Sequence, residues 1–313
     1  MRVGVFLGEF TPEIGGGYTF VNDVAEAFFT VAGEIEHDFF VFCPKETIKQ
    51  LKQGNLSKNI RLTPLAKRSI FGRIVTTLKH ISPIFSLVWR FPSALEKTAR
   101  KNNVQIVWFV GGFFDTLDIP YIANVWDLQH LTHPWFPEVS SKGKWEYREL
   151  FLQRHLRRAA RVITGTVVGK NELISFYRLP KNRIAILPHP TPAFALKEYN
   201  VDKVNIMNKF GLNSGFLLYP AQFWAHKNHI NILLALASLQ KQGETVPDVA
   251  FVGSDKGNKE YVMKKAAELG ITHKIHCLGF VSVEDLIGLY KSADALLYAS
   301  FSGPENLPPL EAF

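Results

Sequence analysis

The residues best suited to hold a phosphate stand near the end of the chain, where residues 299–313 read ASFSGPENLPPLEAF. A turn rich in Gly, Pro and Asn follows an apolar run, 294–298, and is expected to open into a helix. Free backbone N–H groups and the helix dipole make such a helix start favourable for a phosphate. Glu311, about one turn further along, could accept hydrogen bonds from ribose hydroxyls. The segment therefore predicts a nucleotide site.

A second anion-binding loop is predicted where residues 219–229 read YPAQFWAHKNH and a helix follows. Lys227 lies close to the start of that helix, where a positive charge opposes the helix dipole. A bound anion would relieve the repulsion, and a diphosphate fits this requirement. The alternative is that Lys227 simply extends into solvent.

Two further turns follow predicted strands in the same half of the chain, GSDKG at 253–257 and CLGFV at 277–281. The backbone of such a turn could contact the edge of a nucleotide base, with Phe280 or Val281 packed against the ring. Plain core packing of Phe280 is the alternative.

In the first half of the chain, polar side chains follow the predicted strand 119–125, where residues 126–138 read WDLQHLTHPWFPE. Active sites of parallel sheets form at the carboxyl ends of strands, so Asp127 or His130 could act as a base toward a sugar or acceptor hydroxyl. The alternatives are a helix cap for Asp127 and simple packing for the histidines. A zinc site from His130 and His133 is not expected, because a clear third ligand is missing.

The first predicted βα loop carries consecutive glycines at 15–17 before a helix. Glycine lets the backbone approach a diphosphate or a sugar without a Cβ clash. The G-x-G-x-x-G pattern of dinucleotide sites is absent, and a flexible loop without a ligand is the alternative.

Apolar strand candidates alternate with helical stretches along the chain, which predicts parallel sheets with helices on both faces. Alternating prolines in 188–192 favour an extended connection, and the stretch that follows, to Leu212, is polar and mixed. We therefore expect an α/β fold with two domains, residues 1–190 and 191–313. The predicted strands are 3–7, 39–42, 106–109, 119–125, 162–164, 184–187, 216–219, 249–252, 275–278 and 295–298, and the predicted helices are 19–32, 145–159, 170–176, 229–242, 260–269 and 283–292.

Composition limits the class of protein. A chain of 313 residues with 47% apolar residues can build two cores. Cys43 and Cys277 stand far apart in apolar surroundings and are expected to be reduced. The N-terminus reads as a first strand rather than a signal peptide, and no apolar run of about 18 residues predicts a membrane span. A cytoplasmic enzyme fits these features.

The formal net charge of +8 is unevenly spread. Residues 67–101 contain many basic residues and one acid, Glu96, interleaved with aromatic and aliphatic residues. Such a segment suits peripheral contact with the anionic inner face of a membrane. The alternative is an amphipathic helix pair packed on a sheet. Nucleic acid is not an expected partner, because no recognised nucleic-acid motif accompanies the charge.

These segments come in the order and spacing of a known family. The chain resembles the retaining nucleotide-sugar glycosyltransferases of the GT-B fold, specifically family 4 (group 1), and GPENLPPLEA at 303–312 is the most specific part of the likeness. The resemblance implies two Rossmann-like parallel-sheet domains facing across a cleft, with 1–190 on the acceptor side and 191–313 binding the donor. Family members usually continue past the last motif, so the resemblance also implies a second domain that is incomplete and truncated at its C-terminus.

The resemblance further implies a nucleotide diphosphate sugar held mainly by the second half, with no metal and no cofactor. Lys227 would contact the diphosphate, the backbone of 305–307 would cradle the distal phosphate and sugar, and Glu311 would hold the ribose. The usual mechanism is front-side substitution with retention, in which the departing phosphate helps to deprotonate the acceptor hydroxyl. The predicted catalytic residues are Asp127, His130 and Glu305, and the predicted donor-binding residues are Gly16, Gly17, Gln222, Lys227, Gly253, Phe280, Val281, Asn306, Leu307 and Glu311.

Three positions depart from the family pattern. Gln222 stands where the family often has Arg, Trp126 stands where a His commonly precedes Asp127, and Gly303 replaces the first of two glutamates. Some members carry a Gly-Pro-x-Asn version of the last motif, which this chain resembles.

Two hypotheses follow. The first is a glycosyltransferase that moves a hexose, with mannose favoured, to a surface-polysaccharide or lipid-linked acceptor. The second is an inactive protein of the same fold that only binds nucleotide or sugar, because of the truncation and the altered Trp126 and Gln222 positions. An epimerase or NAD-dependent dehydrogenase is not supported, since the G-x-G-x-x-G loop is absent.

Overall fold

The structure is a computed structural model that describes residues 1–8, 16–44, 56–65, 92–115, 117–303 and 305–312. The chain divides into two compact units. The first unit comprises Met1–His130 and Gly143–Pro190, and the second comprises Leu131–Lys142 and Thr191–Phe313. The segment Leu131–Lys142 therefore belongs to the second unit although it stands in the first half of the chain, a feature that a single linear boundary does not anticipate.

Each unit is built on one sheet whose pairings are all parallel. The strands are β1 Arg2–Phe6, β2 Asp38–Cys43, β3 Ile60–Pro64, β4 Ile106–Phe109, β5 Tyr121–Asn124, β6 Arg161–Thr164, β7 Ile184–Ile186, β8 Leu217–Pro220, β9 Val249–Val252, β10 Ile275–Gly279 and β11 Ala295–Leu296. The strand order is β3-β2-β1-β4-β5-β6-β7 in the first unit and β10-β9-β8-β11 in the second. The α/β fold with two parallel sheets is thus confirmed.

Parallel pairing requires each connection to return the chain to the same end of the sheet, and a helix is the usual means. Helices lie in most of the described connections between these strands. In the described residues they are α1 Gly16–Val31, α2 Ala94–Lys101, α3 Gln129–Thr132, α4 Pro137–Ser140, α5 Lys144–Leu156, α6 Val167–Tyr177, α7 Lys203–Phe210, α8 His229–Lys241, α9 Lys259–Glu268, α10 Val283–Ser292 and α11 Leu307–Ala312.

The core of the first unit joins α1 to the middle of its sheet. Phe20, Val24 and Phe28 of α1 belong to one buried cluster with Val5 of β1 and Val41 of β2. The three α1 residues recur at a spacing of four, which puts them on one face of the helix.

The second unit packs apolar side chains on both faces of its shorter sheet. Tyr219 and Phe251 belong to a cluster with Leu233 of α8, whereas Leu218 belongs to another cluster with Leu289 of α10. Neighbouring residues of one strand thus enter different clusters, which follows from the alternation of side chains along a strand. Strands that are covered on both faces read as continuous apolar runs, which is why they were predictable.

Five elements have no counterpart among the predicted strands and helices: β3, α2, α7 and the short helices α3 and α4. β3 is an edge strand with an exposed arginine, so its apolar pattern is weak. α2 begins after Ser93, whose side chain accepts a hydrogen bond from the Glu96 backbone N–H. α7 falls in the stretch judged polar and mixed, and it is amphipathic, with Ile206 and Phe210 packed against the second core.

The structure also bears on the predictions about the two cysteines, a membrane span and the basic segment. Cys43 and Cys277 are free cysteines, the first buried and the second half-buried. None of the described helices is both long and apolar enough to cross a membrane. Within the basic segment 67–101, only residues 92–101 are among the described residues, so the predicted membrane contact lies outside them.

Candidate functional site

The loops at the carboxyl ends of β8, β9, β10 and β11 touch one another in the second unit. The Phe223 backbone N–H donates to the Ser254 carbonyl at 3.1 Å, which joins the loops after β8 and β9. The Phe301 N–H donates to the His226 carbonyl at 2.9 Å, which joins the loops after β8 and β11. Ligands of parallel α/β sheets bind at this edge.

Lys227 is the most informative side chain at this edge. It ends a short 3-10 turn, Ala225–Lys227, and it is half-buried. Burial lowers the pKa of the ammonium group below its ordinary value. Lys227 forms no ion pair with any carboxylate of the described residues. A cation that loses water without gaining a counter-charge favours an anionic ligand. The alternative that Lys227 simply extends into solvent is wrong.

The turn that carries Lys227 is held on several sides. The Tyr219 hydroxyl donates to the Lys227 carbonyl. Asn228 adopts a left-handed conformation with φ of 56°, and its side-chain amide donates to the Ala299 carbonyl at 3.1 Å. These contacts fix the backbone on both sides of the lysine, so the ammonium group is presented from a defined position.

Glu138 supports the same turn from a distant part of the sequence. Its Oε1 accepts from the His226 backbone N–H at 2.9 Å and pairs with His226 Nδ1 at 2.6 Å. The Phe136 ring lies 6.1 Å from the His226 ring and 5.6 Å from Phe301. The segment Leu131–Lys142 is therefore attached to the loops that surround Lys227.

Gly253 permits the close approach of the loops after β8 and β9. Its φ is +153°, and a Cβ at this position would lie 2.6 Å from the Ala221 carbonyl oxygen. Its N–H donates to the Gly279 carbonyl at 2.8 Å. A side chain could not be accommodated without moving the backbone, so the role of Gly253 in the structure is steric.

Phe280 is 56% exposed, whereas Val281 packs against the second core. The alternative of plain core packing for Phe280 is therefore wrong. An exposed aromatic face at the ligand-binding edge of a sheet can stack on a planar ring such as a nucleotide base. Val281 is half-buried and packs beneath the loop against this core.

The last motif places its polar groups near two tyrosines. The Tyr298 hydroxyl bonds to Asn306 Oδ1, and the Tyr290 hydroxyl donates to Glu311 Oε2 at 2.6 Å. Leu307 begins α11 and is half-buried, as is Glu305. The Tyr290 bond orients the Glu311 carboxylate.

Gln222 takes part in the loop but brings no charge to it. Its Oε1 accepts from the Trp224 indole N–H at 3.0 Å. The position thus offers an oriented amide where the family often has a cation.

In the first unit, Asp127 follows β5 and is held by two donors. Its Oδ1 accepts from the Gln129 N–H at 2.9 Å and from Arg148 at 2.8 Å, and Arg148 also donates to the Asp127 carbonyl at 2.7 Å. The bond from the Gln129 N–H, two residues further along, forms an Asx turn that leads into α3. The predicted catalytic role of Asp127 stays a prediction.

His130 is fully buried, and its Nε2 lies 3.0 Å from Glu149 Oε2. The Tyr177 hydroxyl donates to the same carboxylate oxygen at 2.5 Å, and Gln153 donates to the other at 2.6 Å. Burial, together with the Arg148 charge, lowers the pKa of His130. Although burial opposes it, hydrogen bonding from Tyr177, His130 and Gln153 lowers the pKa of Glu149. A neutral imidazole that donates from Nε2 to an ionised Glu149 accounts for this arrangement.

The remaining predicted residues, Gly16 and Gly17, begin α1 in the first unit. The structure therefore brings Gln222, Lys227 and Gly253 together through the contacts of their loops. Asp127 and His130 both follow the carboxyl end of β5 and belong to the first unit. Gln222, Lys227 and Gly253 belong to the second unit.

Sequence reasoning missed Arg148, Glu149 and Tyr177, and it assigned no role to the pair of Glu138 and His226. Arg148, Glu149 and Tyr177 stand on helices without a local motif, and nothing in the two quoted segments indicates that Glu138 pairs with His226. Their partners lie far away in the sequence, so a spacing pattern carries no signal for them.

A sequence family is recognisable in the second unit. Residues 202–313 match the family profile described as Glycosyl transferases group 1. The matched range contains Lys227, Gly253 and Phe280 together with the last motif.

Three curated proteins illustrate the likeness. The O-antigen chain mannosyltransferase B of Escherichia coli is 26% identical over 178 residues, which are 56% of this chain and 46% of that protein. The serotype-specific mannosyltransferase WbdA of Escherichia coli is 22% identical over 220 residues, or 67% of this chain and 27% of that protein. The O-antigen chain mannosyltransferase RfbU of Salmonella typhimurium is 24% identical over 243 residues, or 71% and 63%. The chain thus spans less than half the length of the first two relatives.

Solved structures show the fold. HepE of Anabaena, in complex with UDP and glucose, superposes with a TM-score of 0.63 at 14% identity, over 100% of this chain and 78% of that one. Sucrose-phosphate synthase of Thermosynechococcus elongatus gives a TM-score of 0.66 at 15% identity, with the same coverage. The fold is that of the GT-B glycosyltransferases.

Proposed function

We propose that this protein transfers a hexose from a nucleotide diphosphate sugar to a saccharide acceptor. The observation that carries the proposal is Lys227, a half-buried cation with a lowered pKa and no ion pair among the described residues. It lies at the carboxyl edge of a parallel sheet, in the segment 202–313 that matches the group 1 profile. A diphosphate supplies the missing negative charge.

The proposed chemistry depends on stabilising the leaving group. Cleavage of the sugar–phosphate bond leaves negative charge on the nucleoside diphosphate, and a preoriented ammonium group lowers the energy of that charge. Lys227 would perform this role, Phe280 would stack on the base, and Glu311 would accept from the ribose hydroxyls. Lys227 supplies the positive charge that a divalent cation otherwise provides, so we propose catalysis without a metal.

We further propose mannose as the sugar and a surface polysaccharide or its lipid-linked precursor as the acceptor, with retention of anomeric configuration. The names of the relatives support this choice, because three of them are mannosyltransferases and two act on O-antigen chains. Because HepE holds UDP and glucose, the test must include uridine as well as guanosine donors.

A thermal-shift screen with UDP, GDP, ADP and dTDP, each with and without a chelator, tests the donor site. A ligand at 100 times its Kd stabilises a protein by about 2.7 kcal/mol, which is enough to detect. We expect a chelator-insensitive shift with one nucleotide, and we expect Lys227→Ala to remove the shift. Absence of a shift with every nucleotide, from a folded sample, would contradict the proposal.

Transfer itself is tested with the sugar form of the nucleotide that binds, using mannose and glucose donors. NMR of the product reports the anomeric configuration, and retention is the expected result. Nucleotide binding without transfer to any acceptor would instead identify the binding-only protein that the altered Trp126 and Gln222 positions suggest.

A further inference from the structure

We propose that Glu138 is a positioning residue of the donor site, which acts through His226 to hold the turn that presents Lys227. The inference rests on the proposed function and extends it to a residue that stands in the other half of the sequence. It begins from the observation that Leu131–Lys142 belongs to the second unit.

The first step concerns how Glu138 is held. Glu138 lies in α4, whose short turn is reinforced by the Ser140 hydroxyl donating to the Phe136 carbonyl at 2.9 Å. Its side chain is only 7% exposed. A carboxylate that is so nearly buried requires hydrogen-bond donors, since an unpaired buried charge is costly.

The second step concerns what Glu138 binds. One carboxylate oxygen, Oε1, takes both the backbone N–H of His226 and its ring Nδ1, at 2.9 Å and 2.6 Å. The His226 side chain is 13% exposed. Two contacts to one residue fix both its backbone and its side chain, and they do so at the position immediately before Lys227.

The third step concerns the other contacts of His226. Its carbonyl accepts from the Phe301 N–H at 2.9 Å and from the Ser300 hydroxyl at 3.4 Å, both in the loop after β11. His226 therefore links three segments: the one that carries Glu138, the Lys227 turn and the loop that leads to the last motif. Removing the Glu138 carboxylate removes both of its contacts with His226, and the turn can then relax toward solvent.

The consequence falls on the Lys227 ammonium group. Preorganised charges are worth most when they need no rearrangement as the ligand binds. If the turn relaxes, Lys227 gains water and must be reordered by the ligand. We expect Glu138→Ala to weaken the affinity for UDP or GDP, whichever the wild-type chain binds, by about tenfold or more, equivalent to about 1.4 kcal/mol.

The experiment compares Glu138→Ala, Glu138→Gln and a matched control in the full chain by isothermal titration calorimetry with UDP and GDP. The control is Glu146→Ala, which removes an exposed carboxylate of the first unit. Glu138→Gln keeps one acceptor oxygen for the His226 N–H, so it should bind with intermediate affinity and should fold if Glu138→Ala does not. Unchanged affinity in both Glu138 variants would overturn the inference.

A ligand-independent readout separates the inference from the proposed function. Lysines are methylated reductively with ¹³C-formaldehyde, and the Lys227 resonance is assigned by its absence in Lys227→Arg. We expect this resonance to titrate at a higher pH in Glu138→Ala than in the wild-type chain, because relaxation of the turn restores hydration. If the wild-type chain binds none of UDP, GDP, ADP and dTDP, the proposed function fails, and the titration alone decides whether Glu138 positions Lys227.

A double-mutant cycle with His226→Ala tests the route of the effect. If Glu138 acts through the imidazole, Glu138→Ala should weaken nucleotide affinity less in the His226→Ala background than in the wild-type chain. Fully additive effects on affinity would overturn the route through the imidazole and would leave only the contact with the His226 backbone N–H.

Discussion

Some residues near the proposed donor site depend on burial for their proposed role, and others depend on exposure. Lys227 is informative because it is half-buried without an ion pair in the described ranges, and Phe280 because it is exposed. His229, two residues after Lys227, is fully buried between aromatic rings. Its ring stacks on that of Phe223, with the two ring centroids 4.4 Å apart. Each residue leads to a separate measurement.

Truncation of Phe280 should affect ligand binding and leave folding almost unchanged. Because the ring is 56% exposed, Phe280→Ala should change the free energy of unfolding by no more than about 0.5 kcal/mol. Loss of base stacking should weaken nucleotide affinity about tenfold. Urea unfolding and calorimetric titration measure the two quantities, and Phe176→Ala, which removes an exposed ring of the first unit, is the control. An unchanged affinity would exclude base stacking by Phe280.

The buried His229 should make the protein sensitive to acid. Burial, assisted by the Lys227 charge, lowers the pKa of His229 to about 4. The unfolded chain takes up this proton near pH 6.5, so stability is present above that pH and is lost as the pH falls toward 4. The loss from this residue between pH 7 and pH 5 is about 2 kcal/mol.

Urea unfolding at pH 7, 6 and 5 tests this pH dependence. His229→Phe keeps an aromatic ring between its neighbours and removes the titrating group, so the slope of stability against pH should become shallower. His273→Phe, at an exposed position, controls for the loss of a histidine. An identical slope in wild type and His229→Phe would show that His229 is not a source of the acid sensitivity.

At the scale of elements, the site depends on loops that meet beyond four parallel strands. The order β10-β9-β8-β11 puts β8 beside both β9 and β11, so its loop can contact the loops of both neighbours. The contact with the β9 loop requires two backbones to pass without a side chain between them, and Gly253 meets that requirement.

Substitution of Gly253 should disturb this loop contact. Gly253→Ala combines left-handed strain of about 1–2 kcal/mol with overpacking of about 1–3 kcal/mol, so a loss near 3 kcal/mol in unfolding free energy is expected. Gly243→Ala is the control, because Gly243 also has a positive φ, +75°, but nothing lies within 4 Å of its Cβ position. Equal losses of unfolding free energy in the two variants would show that the close approach at Gly253 contributes nothing.

At the scale of the whole molecule, the two compact units do not follow the chain in simple succession. The first unit is interrupted by Leu131–Lys142, which belongs to the second. Ligand binding to the second unit should therefore slow hydrogen exchange in Leu131–Lys142, although this segment lies within the sequence of the first unit.

Hydrogen exchange with mass spectrometry tests this organisation. We expect the nucleotide that binds to slow exchange in peptides covering 221–228 and 299–303, and also in Leu131–Lys142. Peptides covering β2 and β3 of the first unit should exchange at unchanged rates and serve as the internal control. Protection of 221–228 without any change in Leu131–Lys142 would contradict the assigned membership of that segment.

Local sequence patterns predicted the parallel sheets and the turns that contain the proposed site residues. Runs of apolar residues alternating with helical stretches predicted two parallel sheets, because buried parallel strands need apolar side chains on both faces. The turns at the carboxyl ends of those strands predicted where Lys227, Gly253 and Phe280 lie. The edge strand β3 and the amphipathic α7 were missed, because partly exposed elements have weak apolar patterns.

The class of fold could therefore be predicted from the amino-acid sequence, as could the strand ends at which a ligand is expected and the lysine proposed to contact a diphosphate. The residues that support those groups became visible only in the three-dimensional arrangement. The pairing of Glu138 with His226 spans 88 positions, and that of His130 with Glu149 depends on how α5 returns to β5. Such contacts follow from strand order and from the path of the chain between units, and spacing along the sequence does not encode them.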